Sequence, residues 1–264
     1  MPIRKPLFIV PLDLGTMTAG NAQTGYPVTN LNRHKAIGLT WRASGAGNIW
    51  ARGQLSTTRA IDFCAIVSAN AQPGTQYRLR LGTTQAQVDG TAPYDSGALT
   101  FISPAISRED GLYHSHLELP SVQNATWWRI DITGHTGDFQ AADLVLGKEV
   151  EPSRFYNLDF EFGVEDMGGM EVTRFGVMNE EPGIVMRTAA FTLAWVTEAE
   201  FETNFRPMIE KLGRKGIVYC VFDPDATTYR QAKTFMGIMR KAPFARGVRK
   251  PQTYQLDFEI LSFI

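Results

Sequence analysis

Two imidazoles and a carboxylate stand close together in His114-Ser115-His116-Leu117-Glu118. On an extended chain, His114, His116 and Glu118 project to one side, opposite Tyr113, Leu117 and Leu119. Such a donor set suits a transition metal. Same-face residues along one flat strand seldom converge on a single ion, so the expectation is a solvated outer face, and no metal site is assigned. Asp223-Pro224-Asp225 offers oxygens to calcium, but Asp at the opening and Pro at the second place describe a turn. Gly45-Ala46-Gly47 lacks the strand and helix of a dinucleotide fingerprint and reads as a loop. Acid pairs such as Asp159 with Glu161, or Glu165 with Asp166, resemble glycosidase carboxylates only in type, because a chain with 27 acidic residues always offers such pairs. The sequence contains no Gly-x-Ser-x-Gly, zinc-protease helix or phosphate loop. The expectation is no catalytic residue, no cofactor and no enzyme activity.

Aromatic side chains are the remaining binding candidates. Trp41, Trp50 and Trp127 lie in or near loops of the first half, where a sandwich commonly carries binding function. They are the candidate surface or carbohydrate contacts. The competing expectation is that tryptophans at strand ends form core rims or subunit contacts.

These residues need strands to position them. Residues 1–152 alternate short apolar runs with clusters of Gly, Pro, Asn, Ser and Thr, such as Ser44–Asn48 and Gln72–Gly74. Strands are predicted at Leu7–Val10, Ile61–Ser68, Tyr77–Leu81, Tyr113–Leu119, Trp127–Ile132 and Leu144–Leu146, the spacing of a β-sandwich. Alternation places Trp128, Ile130 and Ile132 in the core and Trp127, Arg129 and Asp131 outside. Likewise Tyr77, Leu79 and Leu81 face inward, with Arg78 and Arg80 outward. No useful helical period appears in this half.

Residues 153–264 have longer strands. Arg187–Val196 puts Ala189, Phe191, Leu193 and Trp195 on one face. Ile217–Phe222 is continuously apolar, as a strand covered on both sides would be. Lys233–Arg240 and Tyr254–Phe263 follow, the last with Tyr254, Leu256, Phe258 and Ile260 inward. Thr197-Glu198-Ala199-Glu200 reads as a capping box opening a helix at about 198–212. Phe201, Phe205, Met208, Ile209 and Leu212 form its apolar stripe, Gly213 its stop, and Pro207 predicts a kink.

Whole-chain numbers narrow the class. The 264 residues carry 26 basic and 27 acidic side chains, so no net field favours nucleic acid or an anionic membrane. Cys64 and Cys220 each sit in an apolar run and are expected as buried free thiols. Pro6, Pro11 and Asp13 interrupt the first apolar stretch, which reads as a strand and not as a signal peptide. No run approaches the roughly 20 apolar residues of a membrane span. The expectation is a soluble protein made in the cytoplasm.

Two stretches carry a family resemblance. Trp41-Arg42, Arg59–Asn70, Tyr77–Gly82, Ala125–Ile132 and Ala142–Gly147 together resemble a discoidin-like (galactose-binding-like) jelly roll of the kind found in phage and prophage tail proteins. Met167 to the C-terminus, with the capped helix and the Phe222–Asp225 turn, is similar to the C-terminal part of those proteins. The resemblance implies a structural virion protein of a long-tailed phage tail tip or baseplate, distal-tail-like, in two domains: a jelly-roll sandwich over 1–152 and a tail-tube-like β-domain with one packed helix over 153–264. It implies a homo-oligomeric ring, hexamer or trimer, joining the tail tube to the distal adsorption apparatus. Its partners would be itself and other tail proteins. The rivals are a carbohydrate-binding adaptor contacting a host glycan and a polysaccharide-degrading enzyme.

Overall fold

The computed structural model describes residues 4–45, 47, 49–241, 244–247 and 250–264. Of the predicted Ser44–Asn48 loop, Ala46 and Asn48 therefore lie outside the described residues. The chain forms two compact units: Phe8–Val150 with Pro224–Lys233, and Met1–Leu7 with Glu151–Asp223 and Thr234–Ile264. Both are mainly β, and no described helix is long and apolar enough to cross a membrane.

The first unit is a jelly-roll sandwich. Its main sheet runs Asp143–Gly147, Ile49–Val67, Leu117–Thr133, Gln76–Gly82 and Tyr94–Asp95, with Thr16–Gly20 added to Ile49–Val67. Two very long strands do most of the wrapping. Register shifts between Gln54 and Arg59 and between Ile61 and Phe63 split the long Ile49–Val67 strand. Its first part pairs with Trp127–Ile132, and its last part pairs with Asp143–Gly147. Such irregularities bend a strand and increase its local twist. The core behaves as alternation requires: Trp128, Ile130, Ile132, Tyr77, Leu79 and Leu81 are all buried.

Gly53 lies directly opposite Trp128, and a Cβ there would sit 2.6 Å from the indole. The glycine is what allows the ring to lie flat across the strand. The indole Nε1 then donates to the Leu14 carbonyl at 3.2 Å, which satisfies its only polar atom.

Several expectations for this unit are corrected. The predicted Tyr113–Leu119 strand begins only at Leu117. Tyr113 instead makes an isolated bridge to Ala69, and Ser115 N donates to the Ile66 carbonyl. His114 and Ser115 are buried and His116 is nearly so, not a solvated face. His114 Nδ1 accepts from Ser68 N at 3.0 Å, and the His114 backbone N–H donates to Gln231 Oε1 at 3.1 Å. That glutamine belongs to Pro224–Lys233, the excursion that begins within the Asp223-Pro224-Asp225 stretch and belongs to this unit. A short helix, Gln85–Asp89, also occurs where no helical period is visible, held by a capping box between Thr84 and Gln87.

The second unit is a sheet in the order Ile217–Val221, Thr234–Met239, Thr253–Ser262, Val185–Thr197, Glu161–Asp166, with Ala245–Gly247 beside Thr253–Ser262. Ile217–Val221 is buried throughout, and Leu256, Phe258 and Ile260 face inward. The inward set of Val185–Thr197 is Ala189, Phe191 and Leu193, then Val196. Trp195 does not join them. A bulge between Leu193 and Val196 puts Trp195 at φ +63° and turns its side chain outward, 44% exposed. One extra residue shifts the face of everything after it.

The helix spans Glu198–Glu200, Phe201–Phe205 and Arg206–Leu212, with a π-turn in the middle segment. Thr197 caps it by accepting from Glu200 N, but the Glu200 carboxylate accepts from Ser153 N and Oγ instead of closing a capping box. Pro207 stands two residues past the π-turn, so the irregularity expected at the proline takes the form of a local change to i→i+5 bonding in the turn before it. Phe201, Phe205, Met208 and Leu212 are buried.

Candidate functional site

Two surfaces stand out, one in each unit. In the first unit, strand register assembles the outer face of the main sheet in three rows. Gly20, Trp50, Asp131 and Arg78 form one. Thr18, Arg52, Arg129, Arg80 and Asp95 form the next. Thr16, Gln54, Trp127 and Gly82 form the third.

Three arginines abreast would repel one another across the strands. Carboxylates are interleaved with them. Asp89, at the end of the short helix, pairs with Arg52 and with Arg129 at 2.7 Å. Asp131 joins Arg129 at 2.7 Å to Arg80 at 2.6 Å, and Asp95 pairs with Arg78. Arg80 is thus a correction: it sits on the outward face as predicted, but the ladder covers it to 6% exposure. Burial opposes ionisation of Asp89, but the Arg129 hydrogen bond and the Arg52 charge outweigh it and hold the carboxyl below its ordinary value. The Arg78 hydrogen bond does the same for Asp95. Acids held ionised accept hydrogen bonds and are poor proton donors.

Of the three tryptophans singled out from the sequence, Trp50 and Trp127 are half-buried on this face, two rows apart. The Arg129 guanidinium carbon lies 4.8 Å and that of Arg52 5.2 Å from the Trp50 ring centre, within cation–π range. Trp41 is the third, and as a surface contact it is corrected: it is fully buried, edge-on to Phe139 at 5.8 Å. Its strand Trp41–Ala43 pairs with Phe139–Ala141 and turns the indole inward. No group of three metal-ligating side chains occurs among the described residues. His116 Nε2 is bonded to Glu118 at 2.8 Å, and its ring packs against Phe63. Both cysteines are free and buried, and burial pushes both thiols up.

In the second unit the exposed feature is apolar. Glu161–Asp166 is the last strand of its sheet, and the hairpin Gly169–Val172/Met178–Glu181 follows it. Most of the exposed large hydrophobic side chains among the described residues fall between 155 and 185. Val164 and Met170 are each 68% exposed, and Phe175 at the hairpin tip is 77% exposed. Of the acid pairs noted in the sequence, Glu165 and Asp166 each have another partner. Glu165 is bonded to Arg240 at 2.8 Å, while Asp166 accepts from Gly168 N.

No family model matches the chain, and no curated protein matches it. Solved structures are similar to it over about half its length. The family 32 carbohydrate-binding module of C. perfringens NanJ in complex with galactose is 14% identical, with a TM-score of 0.39, covering 54% of this chain and 99% of that one. A Streptococcus pneumoniae fucose-binding module is 9% identical, with a TM-score of 0.39, covering 52% and 95%. A chitosan-binding module from Paenibacillus sp. IK-5 is 13% identical, with a TM-score of 0.38, covering 52% and 97%. At these identities and TM-scores the likeness carries nothing about ligands. This chain is mainly β, with a jelly-roll β-sandwich as one of its two units.

Proposed function

We propose that the chain is a non-catalytic, ring-forming structural protein of a long-tailed phage tail tip, assembled in the host cytoplasm into the virion tail. The jelly-roll unit decorates the periphery of the ring, and the second unit builds it. The observation that carries the assembly reading is the exposed apolar surface over 155–185, which includes a sheet edge and a hairpin that pairs with no further strand among the described residues. Monomeric proteins seldom leave large contiguous apolar patches in water, and an open apolar strand edge is a template for association. The family resemblance of the sequence supplies the tail-tip context. Mass photometry with negative-stain imaging across a concentration range tests it. Closed rings of fixed size are the expected result and give the copy number. A monomer at every concentration removes self-driven ring formation.

A second reading has its own observation. The Trp50 ring, flanked by Arg52 and Arg129 among ionised carboxylates, presents an aromatic surface beside charged hydrogen-bonding groups. That combination suits a host glycan, with the chain acting as a carbohydrate-binding adaptor. Glycan-array binding that disappears in Trp50→Ala supports it, and binding that Trp50→Ala leaves untouched excludes this face.

A further inference from the structure

The second unit carries a knob and a hole of matching chemistry. The knob is the hairpin tip, where the Arg174 guanidinium carbon lies 4.7 Å above the Phe175 ring and both point into solvent. The hole is a cavity of about 240 Å³ on the outward side of Val185–Thr197 and Thr253–Ser262. Asp159, Thr192, Lys241, Phe244, Arg246 and Asp257 are among the residues that line it. A cavity of about 150 Å³ accommodates a benzene ring, so this one has room for a phenylalanine side chain.

Charge distinguishes this hole from a generic apolar dent. Lys241 lies 3.8 Å from Glu259 and Arg246 lies 3.9 Å from Asp257. Asp159 has no ion-pair partner among the described residues, and neither has Arg174. Phe244 is 48% exposed and lies under the Arg246 guanidinium at 4.6 Å, the same arrangement as Arg174 over Phe175.

We infer that the Arg174–Phe175 tip of one copy inserts into the Asp159/Phe244/Arg246 cavity of a second copy of this chain. Phe175 packs on Phe244 and Arg246, and Arg174 pairs with Asp159. A knob and a hole at different places on one chain make a head-to-tail contact, which closes into a ring when the rotation permits. This inference rests on the assembly reading above and specifies its interface.

The test is a mixing experiment with the full chain. Thr173→Cys places a thiol beside the knob, and Lys241→Cys places one at the cavity; the native cysteines are buried. Under mild oxidation, a mixture of the two variants gives a cross-linked pair that neither gives alone. Adding Phe175→Ser to the first variant lowers its yield by roughly tenfold or more, as expected for a central anchor. Arg174→Glu also lowers it, and Asp159→Arg in the partner restores it. Assemblies that form without this cross-link overturn the inference and leave the assembly reading intact. A chain that stays monomeric at every concentration overturns both.

Discussion

Gly53→Ala tests how the jelly roll positions its outer face. The new methyl would lie 2.6 Å from the Cε2, Cζ2 and Nε1 atoms of Trp128. The ring has nowhere to move, since it is fully buried and its Nε1 is bonded to the Leu14 carbonyl. Overpacking of this kind costs about 1–3 kcal/mol. Alanine recovers about 0.4–1 kcal/mol by restricting the unfolded chain, so the net expectation is a loss of about 1–2 kcal/mol. Denaturant unfolding followed by tryptophan fluorescence should show a lower midpoint at unchanged slope. Trp50, Arg52 and Gln54 flank this glycine on the same strand. The half-buried indole of Trp50 should therefore report the disturbance as an altered emission maximum in the native state. A Gly53→Ala protein as stable as wild type would refute the account of how Trp128 is seated.

Other outcomes follow from single contacts. His34 Nδ1 bonds the buried Asp143 carboxylate at 2.8 Å and Nε2 faces the Leu12 carbonyl at 3.4 Å, so both ring nitrogens meet acceptors. Burial acts against the imidazolium, but the hydrogen bond to Asp143 and its charge outweigh this and raise the His34 pKa. The resulting stabilisation is complete below the unfolded value of about 6.5 and is lost as pH rises through the higher folded pKa. Thermal unfolding against pH should show that loss in wild type, and a His34→Gln profile with the same slope would count against it. Asp131→Ala strips Arg80 of its partner at 8% side-chain exposure and should cost about 3 kcal/mol, measured by denaturant unfolding. Trp195→Gly relieves a left-handed residue whose side chain is already exposed, and should leave stability unchanged or raise it by about 1 kcal/mol. A clear drop in melting temperature would show that the Trp195 side chain packs against something.

What was legible in the sequence was whatever follows from local period. Trp128 against Trp127, the inward Leu256, Phe258 and Ile260, and the helix stripe from Phe201 to Leu212 are consequences of alternation and 3.6-residue spacing. What was not legible depends on neighbours distant in sequence. The burial of His114 needs Ser68 and Gln231, and that of Arg80 needs Asp131. Trp195 was misplaced because a bulge carries no periodic mark until pairing is known. Trp41 was misplaced because its burial depends on Phe139, almost a hundred residues away along the chain. The Thr84–Gln87 capping box was available as a Thr-x-x-Gln pattern, but five residues are too few to show a helical stripe. For the candidate sites, residue type alone singled out Trp50 and Trp127 in the sequence. The rows that join them to Arg52, Arg129 and Asp89 required strand register.

The most direct test of the assembly claim is sedimentation velocity on wild type and on one hairpin variant carrying Met170→Gln, Val172→Thr, Val177→Thr and Met178→Gln. These four side chains are exposed on the hairpin, so the substitutions should leave circular dichroism unchanged. Wild type should sediment as a discrete multi-subunit species and the variant as a monomer. A wild type that stays monomeric, or a variant that assembles equally well, would contradict the claim.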